Sequence, residues 1–129
     1  MSAAADSIGR GDPDPTWPWP EPRLTYANAV LPEAMIAAGT ALARPALARD
    51  GLKLLGWLLD RETRGDHLSV TPVGGAGPGD RAPSFDQQPI EVAAMADACR
   101  RAALVDDSRR WSEGLSRAVR WFLGDNDAG

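Results

Sequence analysis

Apolar residues recur at three- and four-residue spacing in four stretches of this chain, and each stretch predicts a helix. The first is expected over about residues 26–43, with Leu31, Ala34, Met35, Ala38 and Leu42 on one stripe. Thr25 would cap it, and Pro32 would mark a kink or a helical restart. The second is expected over residues 45–62, where Leu52, Leu55 and Leu59 form a stripe broadened by Leu54, Trp57 and Leu58. Pro45 suits its first position, because a missing N–H costs nothing there. The third covers about residues 87–103, with Ile90, Ala94, Ala98 and Ala102 inward, Met95 and Cys99 beside them, and Asp86 as the cap. The fourth covers about residues 107–123, with Trp111, Leu115, Ala118, Val119 and Phe122 on one face and Gly124 as the stop.

The connections sort these helices into pairs. Only a tight turn fits between the first and second, so they should form an antiparallel hairpin. Residues 64–67 read as a turn and 68–70 as a short extended piece. Residues 71–84 carry Gly74, Gly75, Gly77, Gly79, Pro72, Pro78 and Pro83, and a loop of that length is usually functional or flexible. The last two helices make a second hairpin. The expected fold is therefore all-α: two antiparallel helical hairpins over residues 17–127, a long Gly/Pro loop between them, and a disordered leader over residues 1–16. Trp17 and Trp19 open the ordered part, since two large aromatics would bury too much area to hang free.

Composition narrows the function classes. At 129 residues the chain suffices for one small domain, and its net charge of −4 with no basic block argues against nucleic acid as a partner. No apolar run approaches the roughly 18 residues of a membrane span, and the first residues lack a basic-then-apolar secretory pattern. One cysteine, Cys99, excludes an internal disulfide and points to a reducing, cytoplasmic setting. With one histidine, His67, it is too little for a Cys/His zinc site, and neither a metal nor a cofactor is expected.

Several candidate motifs have plainer readings. The glycines at 74–79 lack the Lys-Ser/Thr that follows a phosphate loop, and so read as flexible loop. His67 reads as a surface turn residue, with no Ser–His–acid order around it, and Cys99 as a buried, inert thiol. Two segments carry more chemistry. Residues 17–28 place Trp17, Trp19, Glu21, Tyr26 and Asn28 on an irregular lead-in to a helix. Residues 85–91 crowd Asp86, Gln87, Gln88 and Glu91 at a loop-to-helix junction. Flat aromatic faces with nearby amides and carboxylates suit a sugar. The same residues could equally pack and cap, and their shared end of two hairpins is what favours a common polar face.

The strings from Trp17 to Pro32, from Phe85 to Ala98, and from Trp121 to Asp127 resemble the helical region attached to some bacterial glycosyltransferases. That region is similar to the (α/α)6 toroids of the six-hairpin glycosidase superfamily and the N-acylglucosamine epimerases. The chain departs from the pattern at Pro20, where a phenylalanine is usual, and at Ala27, where an aspartate is usual. The resemblance implies a carbohydrate ligand taken by Trp17, Trp19 and Tyr26 through stacking, and by Glu21, Asn28, Asp86, Gln87, Gln88 and Glu91 through hydroxyls. It also implies two hairpins of a six-hairpin ring: a fragment inactive alone, or a subunit completed by a second copy or a companion chain. The alternative is a non-catalytic helical interaction module, or the remnant of a larger enzyme.

Overall fold

A computed structural model of the protein describes residues 16–80 and 87–127. The expected leader, apart from Thr16, lies outside these residues, as does Asp86. The fold is all-α, with one two-stranded hairpin inserted between the helix pairs.

Helix α1 spans Val30–Ala41 and begins later than its periodicity implied. Residues 25–28 instead make an irregular turn, in which the Thr25 N–H donates to Asn28 Oδ1 at 2.9 Å. Thr25 therefore caps nothing, and Ala29 at the N-cap makes no side-chain bond. Pro32 falls in the first turn, where no backbone partner is needed, so it neither kinks nor restarts the helix. The buried row is Pro32, Ile36 and Gly39, whereas Ala34 and Leu42 of the expected stripe are exposed. The reason is close approach: a Cβ on Gly39 would lie 2.4 Å from the Ala48 backbone nitrogen. A glycine draws the neighbouring helix to its own side, and a pattern read from large apolar residues misses that pull.

Helix α2 spans Pro45–Arg61 with Pro45 at its start, as expected. Gly39 faces Ala48 and Ile36 faces Gly51, so the two helices run antiparallel. Leu54, Leu55, Leu58 and Leu59 enter the core. Strands β1 (Thr63–Arg64) and β2 (His67–Leu68) then pair antiparallel around Gly65 and Asp66, with Thr63 opposite Leu68.

Helix α3 spans Pro89–Val105 and α4 spans Arg109–Phe122. In α3 the expected inward Ile90 is exposed, and Glu91 takes the buried first-turn position. In α4 Ser108 is the cap, its hydroxyl accepting from the Arg110 N–H at 3.3 Å. Trp111, Gly114 and Ala118 are buried, while Val119 and Phe122 are about half exposed, contrary to their place in the expected stripe. Gly124 has φ 106° and ends the helix as the sequence implied. Helix α3 packs against α1 and α2, α4 packs against α3 and β2, and the core lies between the two pairs.

The glycine-rich segment does not hang free where it is described. Leu24 and Ala76 exchange backbone hydrogen bonds of 2.6 and 2.9 Å, and Pro72 bridges to Gln87. Gly75 has φ 80°, and a Cβ there would sit 2.5 Å from the Leu24 carbonyl oxygen. This glycine serves strand-like pairing rather than flexibility. Among the described residues no helix is long and apolar enough to cross a membrane.

Candidate functional site

Helix α2 ends at Arg61, the chain reverses through β1 and β2, and it returns across the helix end as residues 69–76. Between these pieces lies an open polar cleft of about 380 Å³, walled by residues 60–64, 69–72, Ala76 and Asp80. Asp60 and Asp80 stand exposed at its rim, paired with Arg110 at 3.1 Å and Arg23 at 3.4 Å. The Gly77 N–H, helped by Arg23 and Arg61, holds the Asp80 carboxyl below the usual range against the opposing effect of burial.

Glu62 lies deeper and is only 3% exposed. Its Oε2 accepts two bonds from Thr71, one from the backbone N–H at 3.0 Å and one from the hydroxyl. Burial pushes its carboxyl up to about 7, against those two bonds and the nearby Arg61, and the Glu91 carboxylate on α3 adds to the rise. A cleft residue that exchanges its proton near neutrality is a group able to do acid–base or hydrogen-bond work.

Three consecutive wall residues are held in place, two of them from outside the cleft. The Ser69 hydroxyl donates to Asp127 Oδ2 at 2.6 Å, the Val70 N–H donates to Gln87 Oε1 at 3.1 Å, and Thr71 reaches Glu62. Asp127 also bonds His67 Nε2 at 2.7 Å and accepts from Gln87 Nε2 at 2.7 Å. Burial alone would raise the Asp127 carboxyl, but bonds from Ser69, His67 and Gln87 together hold it below its ordinary value. His67 is thus a half-buried bracing residue rather than a plain surface turn. Although Ser69, His67 and Asp127 meet, the serine donates to the carboxylate and not to the imidazole, so they do not form a nucleophile relay.

The residues singled out from the sequence mostly stand behind this cleft. Trp17 and Trp19 are buried at 5% and 3% exposure, packed on Trp57 edge-on at 5.1 Å and stacked at 6.1 Å. The Arg61 guanidinium lies 4.9 Å from the Trp17 ring and donates to the Gly77 and Asp80 carbonyls at 2.6 and 3.0 Å. Asn28 and Glu91 are buried together, the Glu91 carboxylate accepting from the Ala27 and Asn28 N–H groups and from the Asn28 amide. Ala27, at φ 47°, holds the turn that aims those donors. Gln87 is half-buried and also accepts from Trp121 Nε1 at 3.3 Å. Glu21 and Tyr26 are exposed, as is Gln88 at the α3 N-cap, and no bond of their side chains joins them to this assembly. Asp86 lies outside the described residues.

Glu62, Arg61 and Thr71 were not legible as site residues, because nothing in their local sequence separates them from a helix end and a loop. Gln87 and Asp127 were legible as polar groups inside motif-like strings, but their shared partner was not. Among the described residues no group of three His, Cys, Asp or Glu side chains is placed to hold a metal ion. No family model matches the chain, and neither the curated proteins nor the solved structures contain a match.

Proposed function

We propose that the protein is a carbohydrate-associated helical module that binds a sugar at this polar end, akin to a portion of a glycosyltransferase-linked (α/α)6 toroid. One observation carries the reading. All three sequence stretches that resemble that family brace the same cleft: Trp17 beneath Arg61, Gln87 and Asp127 behind Ser69 and Val70, and Glu91 beside Glu62. Carboxylates and hydroxyls in the walls offer partners for sugar hydroxyls, while the half-buried Pro72 supplies apolar surface. A reducing, cytoplasmic setting fits this role, supported by the single buried thiol of Cys99.

Isothermal titration calorimetry with glucose, mannose, N-acetylglucosamine and their disaccharides tests the proposal. Saturable heat with at least one of them is expected. Flat titrations across the whole set would sink it.

A second reading, a helical interaction module covered by another copy or a companion chain, is favoured by the outer face of α4. There Val119 and Phe122 are each 54% exposed and the following Leu123 is 80% exposed.

A further inference from the structure

The cleft holds one atom whose role within the fold is incomplete. Glu62 is buried and lines the cavity, and both hydrogen bonds from Thr71 fall on Oε2. Among the described residues Oε1 has no hydrogen-bond partner. With the Thr71 N–H and hydroxyl both donating to Oε2, the carboxyl proton is carried by Oε1. There the O–H finds no acceptor among the described residues, which leaves it available to an acceptor in the cleft that Glu62 lines.

We propose that neutral Glu62 is the cleft's ligand-recognition group, donating through Oε1 to an acceptor oxygen of an uncharged, hydroxyl-rich ligand. This rests on the carbohydrate reading above and deepens it by naming the contact and the class of sugar. The rest of the cleft fits an uncharged ligand better than an anion. Arg61 donates to the Gly77 and Asp80 carbonyls, Arg64 lies in the wall, and the Asp60 and Asp80 carboxylates, paired with Arg110 and Arg23, balance the cations and keep lone pairs for ligand hydroxyls.

The charged groups around Glu62 bear on its proton. Asp60 and Arg61 come from α2, Arg64 from β1, Asp80 from the returning loop and Glu91 from α3, while the His67–Asp127 pair lies behind Ser69. With Glu62 poised at about 7, a ligand that excludes water and offers an acceptor selects the protonated form. Binding at pH 7 should then take up about half a proton, and affinity should fall by up to about tenfold per pH unit above neutrality.

Calorimetry of the full chain with the tightest-binding neutral saccharide, in buffers of different ionisation enthalpy at pH 7, reads this directly. Proton uptake is expected. Glu62→Gln keeps an acceptor for Thr71 and places an N–H donor where Oε1 stood, so it should still bind, with the proton uptake and the pH dependence both lost. Sugar binding without proton uptake, or uptake that persists in Glu62→Gln, would overturn the inference while leaving a carbohydrate module intact. Tighter binding of glucose 6-phosphate than of glucose would overturn the uncharged-ligand assignment. Absence of heat with every saccharide would remove the underlying reading itself.

Discussion

At the scale of single residues, Glu62 sets the balance between stability and chemistry. Its carboxyl moves from an ordinary 4.5 to about 7 on folding, so the folded state holds the proton more tightly than the unfolded chain does. The stability this confers is fully present below pH 4.5 and is lost as pH rises to about 7. The difference amounts to about 3 kcal/mol. Glu62→Gln removes the titration without removing the acceptor for Thr71. Thermal unfolding of the two proteins should therefore diverge with pH, the variant melting higher at pH 8 and the two agreeing more closely at pH 4. Parallel curves across that range would mean the carboxyl is not buried as described. Asp127 has the opposite sign: its lowered carboxyl stabilises the fold above the ordinary aspartate range and stops doing so as pH falls through its folded value. Burial also pushes the Cys99 thiol up, to about 12, which keeps it protonated and inert where Glu62 can exchange its proton.

Between elements, small residues and buried acids decide how the helices meet. Gly39 of α1 lies against the backbone and Cβ of Ala48 in α2, so an added methyl group meets no flexible side chain that could move aside. Gly39→Ala would gain up to about 1 kcal/mol in helix propensity, and overpacking would cost roughly 1–3 kcal/mol. Net destabilisation is expected in urea unfolding; a stabilised variant would show that α1 and α2 separate easily. Glu91 does the corresponding work between α1 and α3. It collects the N–H groups of Ala27 and Asn28 at the lead-in to one helix from the first turn of another. This exchange explains why Ile90 rather than Glu91 is left outside. The polar side chain has partners only inward, and the apolar one loses comparatively little by facing solvent.

Across the whole molecule, the two hairpins are joined by contacts that do not close the structure on every side. Arg110 of α4 spans to the Gly56 carbonyl and to Asp60 of α2, and α3 fills the space between the pairs. The far face of α4 keeps Val119 and Phe122 outward, with Leu123 beyond the helix end. If a second copy covers that face, sedimentation velocity will show an oligomer that Val119→Ser and Phe122→Ser together dissociate. Because both side chains are exposed, the pair should change monomer stability by less than about 1 kcal/mol. A monomer at all concentrations would count against self-association.

What the sequence determined alone was local: four helices, their approximate ends, Pro45 and Gly124 as start and stop, and the pairing into hairpins. Each follows from spacing and backbone chemistry within a few residues of its position, which a linear reading captures. The inward face of α1 escaped it, because the partner helix is drawn by a glycine and not by bulk. The candidate site escaped it differently. Residues 17–28, 87–91 and 121–127 are chemically conspicuous, yet they serve mainly as supports, and the cleft they brace is formed by less conspicuous neighbours. Only the tertiary structure decided that Thr71 would reach Glu62, that Asp127 would gather His67, Ser69 and Gln87, and that Glu62 would lose water. A carboxyl group's partners and its desolvation depend on what lies around it in space, and spacing along the chain does not encode them.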